Sequence, residues 1–378
     1  MNILIIGGAG FIGSRLAKQL VMQGSEVTIL DNLSEQVHGT TPRFSPDLLR
    51  IAHCVQADVC NRDIVSRLVA DKEVIVHLAA ETGTGQSMYA VERYERVNVG
   101  GTAILLDVLV NKRPPGLRKL VVASSRAIYG EGKYLCKAHG DVYPAPRAAE
   151  ALANGRFEPI CPLCFGIVQL TTTTEDTPLA PSSFYGLTKQ FQERMMLMFA
   201  PTLNVDCVAL RYQNVYGPGQ SLSNPYTGIL AAFSNLARQG KTINVFEDGN
   251  ESRDFVYIDD VIEATAACID FNIRGVHSLN VGSGVSTSVL EVANAVARYF
   301  QPCVNIQVTG AYRIGDIRHN IADLSRIRKL TGFAPRWSFI DGLQQFLSWA
   351  EQHAIVESNF ERSLTELKDR GLLGIAHT

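Results

Sequence analysis

The sequence carries almost no net charge and contains no long hydrophobic segment. Its 35 Lys and Arg residues face 37 Asp and Glu residues, which gives a formal net charge of −2. A nucleic-acid-binding protein needs a concentrated basic face, which this balance does not favour. No apolar run approaches the roughly 18 to 20 residues that span a bilayer, and the first residues lack the basic region and cleavage site of a secretory signal. We therefore expect a soluble, cytoplasmic protein that binds neither nucleic acid nor membrane.

The sequence also lacks internal repeats, and its one low-complexity segment is the run Thr171–Thr174. With 46% hydrophobic and 19% charged residues, the chain of 378 residues can bury a large core and is not expected to be disordered. This length predicts one large α/β domain or two lobes.

Short apolar runs alternate with amphipathic stretches over about the first 130 residues. This alternation is typical of βαβ units and predicts a Rossmann-type, doubly wound parallel sheet. We predict strands at Ile3–Ile6, Val27–Leu30, Ala52–Gln56, Val74–Leu78 and Lys119–Ala123. We predict helices at Phe11–Gln23, Arg62–Ala70 and Arg93–Asn111.

The alternation breaks after Gly130, in a stretch rich in Pro, Gly and Cys. We interpret residues 131–175 as an insertion in the sheet. The pattern resumes with a helix at Phe184–Phe199 and a strand at Val205–Leu210, and a smaller second region follows them. This order predicts a sheet domain with an insertion and a smaller C-terminal lobe.

A glycine-rich turn lies between the first predicted strand and the first predicted helix. Gly7, Gly10 and Gly13 let the chain turn tightly, approach a pyrophosphate closely and pack the helix on the strand. Asp31 ends the next strand, where a carboxylate can accept hydrogen bonds from ribose hydroxyls and would repel a 2′-phosphate. Asn32 follows it instead of an arginine, so NAD is favoured over NADP.

Further cofactor contacts are expected from residues beside the first four strands. Asp58 can hold an adenine amine, although it can equally cap the helix that begins at Arg62. The small residues after the fourth strand can let the backbone lie against a dinucleotide, although they can equally be plain packing residues. These further predicted contacts are Phe11, Ile12, Asn32, Asp58, Val59, Leu78, Ala79 and Ala80.

Two side chains on one helical face predict acid–base chemistry. Tyr185 and Lys189 are four residues apart, so the ammonium lies one turn from the phenol. Tyrosine titrates near 10, and lowering its pKa to about 7 requires roughly 4 kcal/mol of preferential phenolate stabilisation. A lysine and a nicotinamide cation can supply much of that energy. Ser125, at the end of the fifth strand, can hydrogen-bond the same substrate oxygen.

In this order, the glycine turn, acid, serine and Tyr/Lys pair resemble the extended short-chain dehydrogenase/reductase family, in particular its nucleotide-sugar epimerases and dehydratases. The resemblance extends to Asn98–Thr102, Arg211–Pro218 and Ser252–Asp260. It implies a catalytic triad of Ser125, Tyr185 and Lys189, with Tyr185, Lys189 and Asn98 also contacting the cofactor. It further implies that Asn214, Arg253 and Arg318 hold the diphosphate and nucleoside of a nucleotide-sugar substrate.

The residues after Ser125 narrow the expected reaction. Dehydratases of the family carry Asp-Glu at these positions, where this sequence has Arg126 and Ala127. Without these carboxyl groups elimination lacks an acid–base pair, and the glutamate of the family's decarboxylases is missing as well. We therefore expect C4 epimerisation through a transient 4-keto sugar, with Arg126 in the substrate site. The alternatives are a nucleotide-sugar reductase or dehydrogenase with exchangeable NAD, and a non-catalytic assembly subunit.

Two loops resemble those of dTDP-L-rhamnose 4-epimerases, which form dTDP-6-deoxy-L-talose. These loops are Glu81–Gly85 and Tyr212–Gly228. The resemblance implies that Thr84 and Gln213 line the sugar pocket, although either residue can be loop scaffolding. A UDP-hexose epimerase is the alternative within the same reaction class.

The insertion contains two metal-ligand pairs, each with two intervening residues. Cys136 and His139 form one pair, and Cys161 and Cys164 form the other. Four such ligands on two tight turns predict a closed, tetrahedral structural zinc site. The alternative is a set of unrelated thiols with a solvated histidine.

The expected organisation follows from these assignments. Residues 1–211 form an NAD-binding domain that includes the zinc-binding insertion 131–175. Residues 212–352 form mainly the substrate lobe, with some segments returning to the sheet, and residues 353–378 form a tail. Phe360, Leu364 and Leu367 predict a docked helix in that tail. The family resemblance implies a homodimer that pairs the predicted helices Arg93–Asn111 and Phe184–Phe199 in a four-helix bundle.

Overall fold

A seven-stranded parallel sheet forms the centre of the protein. The computed structural model describes residues 1–222, 224, 228–300, 304–355 and 360–377. The strands of the main sheet are β1 (Asn2–Ile6), β2 (Glu26–Asp31), β3 (His53–Gln56), β4 (Val74–His77), β5 (Lys119–Ser125), β9 (Asp206–Tyr212) and β13 (Val276–Val281). Their order in the sheet is β13-β9-β5-β4-β1-β2-β3, and every neighbouring pair is parallel.

The remaining strands form four small sheets. These strands are β6 (Tyr134–Cys136), β7 (Gly140–Val142), β8 (Gln169–Leu170), β10 (Asn214–Tyr216), β11 (Ile243–Val245), β12 (Ser252–Tyr257), β14 (Ser286–Ser288), β15 (Ile306–Val308), β16 (Ala311–Arg313) and β17 (Leu373–Ile375). The orders are β7-β6-β8, β10-β12-β14, β11-β15 and β16-β17.

Helices cover both faces of the main sheet. They are α1 (Phe11–Met22), α2 (Glu35–His38), α3 (Pro46–Ile51), α4 (Arg62–Leu68), α5 (Thr84–Ser87), α6 (Val91–Tyr94), α7 (Gly101–Lys112), α8 (Ala149–Ala153), α9 (Phe184–Leu203), α10 (Ile229–Arg238), α11 (Ile258–Ile269), α12 (Val289–Phe300), α13 (Ser325–Thr331), α14 (Phe339–Glu351) and α15 (Phe360–Asp369). In the part of the chain that the structure describes, no helix is long and apolar enough to cross a membrane.

The burial pattern explains why the strands are almost continuously apolar. Ile3 and Ile5 of β1 pack into one apolar core, whereas Leu4 and Ile6 pack into another on the opposite face. The first core contains α1, α10 and α11, and the second contains α7 and α9. A parallel strand covered on both faces has no solvated side, so its residues need not alternate with polar ones.

The predicted fold class is confirmed, with local differences. Strand β5 continues through Ser125, two residues beyond the predicted end. The helix predicted at Arg93–Asn111 is a longer helical segment, because α6 and α7 are joined by one π-helical turn at Glu95–Gly100. Strand β13 returns from the C-terminal half of the chain and pairs with β9 at the edge of the main sheet.

The insertion and the tail both acquire structure of their own. Strands β6, β7 and β8 form an antiparallel sheet with a small core that includes Tyr134 and Cys161. The tail forms α15, in which Leu367 is buried, and then β17, which pairs with β16. The side chain of Phe360 lies outside the described residues.

Candidate active site

A cavity of about 530 Å³ opens at the carboxyl ends of the parallel strands. The glycine turn after β1 lines it, together with residues that follow β2, β4, β5 and β9. The strand order reverses between β1 and β4, and ligands of doubly wound sheets bind at such a switch point. The topology alone therefore makes this cavity the candidate site.

The glycines of the turn serve different purposes. Gly7 has a φ of +82°, and a Cβ there would lie 2.6 Å from the backbone nitrogen of Ala79. A Cβ on Gly13 would lie 2.5 Å from the Gly7 carbonyl oxygen, so both positions require glycine for packing. At Gly10 the nearest atom would be 3.5 Å away. Gly10 thus leaves the pocket wall open beside the N-terminus of α1, where backbone N–H groups favour an anion.

Asp31 is held at the pocket by its own surroundings. Its carboxylate accepts hydrogen bonds from the backbone N–H groups of Ala9, at 2.9 Å, and Leu33, at 2.8 Å. Phe11, Ile12, Asn32, Leu78, Ala79 and Ala80 also line the pocket, as does Val59. This negative wall suits ribose hydroxyls and would oppose a 2′-phosphate.

Two residues predicted to contact the cofactor have other partners. Asp58 accepts hydrogen bonds from Asn32 at 3.2 Å and from the Cys60 N–H at 2.8 Å. Burial opposes its ionisation, but these bonds lower its pKa overall. Asn98 is fully buried behind the pocket wall, where it bonds the backbone of Glu81 and the hydroxyl of Thr188. The expectation that Asn98 faces the cofactor is therefore wrong for this structure, because its amide is used to join the wall to α9.

The three predicted catalytic residues line one part of the pocket. Helix α9 begins at Phe184, capped by the Ser183 hydroxyl, and a Cβ on Gly186 would lie 2.5 Å from the Ala127 carbonyl. This close approach brings Tyr185 to the end of β5. Burial raises the pKa of Tyr185, whereas a hydrogen bond with Ser125 and the charge of Arg126 lower it.

The ammonium group of Lys189 contacts a buried cluster of polar side chains. Its Nζ donates to Gln192 Oε1 at 2.7 Å, and Gln192 Nε2 donates to Thr102 Oγ1 at 3.0 Å and lies 3.2 Å from His77 Nε2. Burial lowers the pKa of Lys189 to about 7 and that of His77 to about 3. His77 is therefore neutral at physiological pH. Our sequence analysis missed this polar cluster, because its residues come from β4, α7 and α9, which are far apart in sequence.

The charges of Arg126, Arg253 and Arg313 act on the carboxylate of Asp316, as does that of Arg147 in the insertion. Arg126 lines the pocket and donates from Nε to Asn214 Oδ1 at 2.8 Å, and Arg253 donates to Asp316 Oδ1 at 3.0 Å. Burial opposes ionisation of Asp316, but Arg253, Arg313 and Arg126 outweigh it and hold its pKa below the ordinary value. Burial and the neighbouring Arg253 in turn lower the pKa of Arg126 to about 10. Glu131 and Glu251 also act on Arg126 and Arg313, respectively, and Arg126 is the arginine of this cluster that lines the pocket.

Arg313 is the member of this cluster that the sequence analysis missed. Its Nε is buried and has no hydrogen-bond partner among the described residues. An unpaired buried donor is costly, and a bound acceptor would satisfy it. The available signal was its own motif, since Arg313 and Asp316 lie in the same short loop as the predicted Arg318.

Arg318 is enclosed by carboxylates, so its assignment to the diphosphate is a correction. Its side chain is fully buried, and its guanidinium donates to Glu158 at 2.8 Å, Glu247 at 2.8 Å and Asp248 at 2.9 Å. These carboxylates occupy its donors, so no donor is left for a phosphate. The arginine therefore joins parts of the protein rather than binding a ligand.

The two predicted sugar contacts are placed differently. Gln213 lines the pocket, and both of its side-chain amide atoms are buried without partners among the described residues. Thr84 lies at the start of α5, where its carbonyl accepts from the Ser87 hydroxyl, which itself accepts from the Tyr185 N–H. Thr84 thus supports the start of α9, whereas Gln213 offers free donors and acceptors.

The four predicted metal ligands come together in the insertion. The Nδ1 atom of His139 lies 3.6 Å from the Sγ atoms of both Cys136 and Cys161, and Cys136 Sγ lies 3.8 Å from Cys164 Sγ. All four ligand atoms lie within 4.8 Å of one another. Tetrahedral zinc with Zn–S bonds of about 2.3 Å separates its ligand atoms by slightly under 4 Å. The donor set and its spacing therefore fit zinc.

Comparison with known proteins gives consistent matches. The model of the NAD dependent epimerase/dehydratase family matches residues 3–149 and 164–282. A dTDP-L-rhamnose 4-epimerase of Burkholderia thailandensis is 40% identical over 93% of this chain and 95% of its own length. A UDP-glucose 4-epimerase of Mycolicibacterium smegmatis is 31% identical over 91% of this chain and 96% of its own.

Solved structures agree with these sequence matches. The UDP-glucose 4-epimerase of Thermotoga maritima with UDP-glucose is 26% identical, with a TM-score of 0.75 over 93% of this chain and 99% of that one. A UDP-glucuronic acid 4-epimerase of Bacillus cereus, in complex with UDP-glucuronic acid and NAD, is 25% identical with a TM-score of 0.74 and the same coverage.

Proposed function

The chain belongs to the NAD-dependent epimerase/dehydratase family, and from that premise we propose that it interconverts dTDP-L-rhamnose and its C4 epimer, dTDP-6-deoxy-L-talose. The observation that carries the proposal is the meeting of Ser125, Tyr185 and Lys189 in a pocket where Arg126 and Ala127 replace an acidic pair. A base is present for the hydroxyl proton, while the carboxyl groups needed for elimination are absent from these two positions. The 40% identity to a dTDP-L-rhamnose 4-epimerase supports the choice of sugar.

The chain's own side chains account for the proton movements. NAD, when bound between the glycine turn and Asp31, supplies reversible hydride transfer. Tyr185 takes the proton of the sugar 4-hydroxyl while Ser125 holds that oxygen, and the charge of Lys189 stabilises the phenolate. The 4-keto sugar turns over about its diphosphate, and Tyr185 returns the proton. Gln213 is assigned to the sugar hydroxyls because its unpaired amide faces the pocket.

The arginine cluster is assigned to the substrate diphosphate. The charges of Arg126, Arg253 and Arg313 act on Asp316, and arginine's planar fork suits phosphate oxygens. The unpaired Nε of Arg313 supports its place in this set. Anchoring at the diphosphate leaves the sugar free to present either face to the cofactor, which C4 epimerisation requires.

We assign residues 1–211 to cofactor binding and residues 212–352 mainly to substrate binding, with β13 completing the main sheet. We also infer a homodimer through α7 and α9. Leu187, Phe191 and Met198 on α9 are 38%, 49% and 70% exposed, which supports a partner on this helix. Leu105 and Val108 of α7 are instead buried within the chain.

The first experiment follows the sugar protons by NMR in D₂O without added cofactor. We expect dTDP-L-rhamnose to give its C4 epimer with no deuterium in the sugar, because the hydride returns internally. Deuterium at C3 or C5 would contradict the mechanism, since it requires an enol. Consumption of dTDP-L-rhamnose only after NAD(P)⁺ is added, with an equal amount of NAD(P)H formed, would indicate a dehydrogenase with exchangeable cofactor instead.

A UDP-hexose epimerase is the second candidate, favoured by the 31% identity to a UDP-glucose 4-epimerase. The same NMR experiment with UDP-glucose distinguishes the two substrates. Conversion of UDP-glucose to UDP-galactose, with dTDP-L-rhamnose left unchanged, would replace the first proposal by this one.

We propose a structural zinc ion in the insertion, held by Cys136, His139, Cys161 and Cys164. The purified protein is expected to contain about one zinc ion per chain, because four ligands close the tetrahedral site. The change Cys161→Ser should remove the metal and lower the temperature of thermal unfolding by several degrees, roughly 2 to 4 °C for each kcal/mol lost. Elemental analysis and calorimetry measure these effects.

The matched control for the zinc experiment is Cys54→Ser. Cys54 is half-buried on β3, outside the insertion, so its variant should keep the zinc ion. Equal, low zinc contents in wild type and both variants would contradict the zinc proposal.

A further inference from the structure

The side chain of one arginine of the insertion contacts residues of the C-terminal half of the chain. The side chain of Arg147 is only 3% exposed, although the residue lies in a loop. Its guanidinium donates to Glu131 at 3.2 Å, Glu247 at 2.8 Å and the backbone carbonyls of Phe157 and Asp316, both at 3.0 Å. It therefore ties the insertion to the loop that contains Asp316.

The loop that contains Asp316 orients the side chains of the arginines that we assign to the diphosphate. Asp316 accepts from Arg253 at 3.0 Å, and Arg253 also donates to the carbonyls of Ile317 at 2.8 Å and Arg318 at 2.9 Å. Arg313 opens the same loop at the end of β16. A shift of the loop would therefore turn Arg253 and displace Arg313 together.

Two residues of the insertion bind backbone groups of this loop, in addition to the contact of Glu158 with the Arg318 guanidinium. Arg147 binds the Asp316 carbonyl, and Glu131 accepts the Arg318 N–H at 2.9 Å. Glu131 is 3% exposed, and burial raises its pKa while Arg147 acts in the opposite direction. The two residues thus neutralise each other while each fixes one backbone group of the loop.

Charge balance makes Arg147 hard to replace. Glu131 and Glu247 both pair with it, and both are nearly fully buried. Without Arg147, Glu247 would keep its pair with Arg318, whereas Glu131 would keep the Arg318 N–H and the nearby charge of Arg253. Buried ion pairs are expensive to form, whereas removal of one partner from a buried pair is strongly destabilising.

We propose that the insertion positions the diphosphate-binding arginines, and that Arg147 and Glu131 are the positioning residues through which it does so. The inference rests on the proposed function, because it takes a nucleoside diphosphate as the group that Arg253 and Arg313 bind. Neither Arg147 nor Glu131 lines the cavity that contains Ser125, Tyr185 and Lys189. Their effect is on affinity for the nucleotide part of the substrate and not on hydride transfer.

The test compares Arg147→Met with Arg156→Met in the full-length protein loaded with NAD and zinc. Arg156 is an exposed arginine of the same insertion and serves as the matched control. We expect Arg147→Met to weaken dTDP binding about tenfold or more in calorimetric titration and to raise KM equally, with kcat changed less than about threefold. NAD content should stay the same, and Arg156→Met should match wild type throughout.

A second variant covers the case in which Arg147→Met does not fold. Glu131→Gln keeps the shape of the side chain but offers one acceptor where two are used, so we expect a smaller loss of dTDP affinity of the same kind. Unchanged dTDP affinity in the folded variants, or a fall in kcat at unchanged affinity, would overturn the inference. Failure of the wild type to bind either dTDP or UDP would overturn the proposed function, and this inference with it.

Discussion

Replacing Tyr185 by phenylalanine is expected to lower kcat by about 10³-fold, because the change removes the group that exchanges the 4-hydroxyl proton in the proposed mechanism. The phenol lies in the pocket beside Ser125 and Arg126, which lower its pKa against the effect of burial. Lys189 lies one helical turn away on α9. Phenylalanine keeps the ring and its packing, so NAD content and thermal stability should change little. Turnover is measured by NMR at saturating substrate.

The matched control is Tyr299→Phe, which also removes a single phenolic oxygen. Tyr299 lies on α12, and its hydroxyl binds Glu351 at 2.9 Å, well outside the pocket lining. Its variant should turn over like the wild type. If Tyr185→Phe kept more than about a tenth of the wild-type kcat, Tyr185 would not be the base, since loss of general acid–base catalysis costs at least about 100-fold.

The residues that could be predicted are those whose role depends on local sequence. Gly13 is required by contacts within one strand–turn–helix unit, and Gly7 adopts the positive φ of the turn itself. Asp31 follows directly from the next strand. Tyr185 and Lys189 share a helical face whatever surrounds the helix. The structure brings all of them to one pocket, because parallel strands end at the same edge of the sheet.

The residues that were misjudged depend on distant partners. Arg313 and Arg318 lie five positions apart, and both fit a phosphate equally well as sequence. Arg318 is removed from the site by Glu158 of the insertion and by Glu247, both far from it in sequence. Asn98 was misplaced for the same reason, since its amide binds Thr188 on another helix. Two similar side chains can differ in whether residues distant in sequence enclose them. Local sequence patterns cannot specify this difference.

In the insertion, too, a local sequence pattern was predictive, whereas contacts between distant segments were not. The spacing of Cys136, His139, Cys161 and Cys164 predicted a cluster, and the structure brings the four together. The contacts of Arg147 could not be foreseen, because its partners come from separate segments of the chain. A short pattern can thus identify a Cys/His cluster, whereas the contacts between the insertion and the loop of Asp316 need the folded protein.

Replacing Glu193 is expected to lower the free energy of unfolding by about 3 to 5 kcal/mol, the cost of leaving a buried charge unpaired. Glu193 is 1% exposed and lies on α9, one turn beyond Lys189. It pairs with Arg211 of β9 at 2.5 Å and accepts hydrogen bonds from Ser124 of β5 and Ser278 of β13. It therefore links α9, the helix of Tyr185 and Lys189, to three neighbouring strands.

Denaturant unfolding of Glu193→Met, Arg211→Met and the double variant separates charge from packing. The control is Glu263→Gln, whose exposed pair with Arg336 should contribute less than about 1 kcal/mol. If the unpaired charge causes the loss, the double variant should be more stable than either single variant, because two apolar side chains replace the pair. A double variant as unstable as the sum of the singles would show that hydrogen bonds to the strands, and not the ion pair, hold α9. In that case Lys189 would owe its position to Ser124 and Ser278 as much as to Arg211.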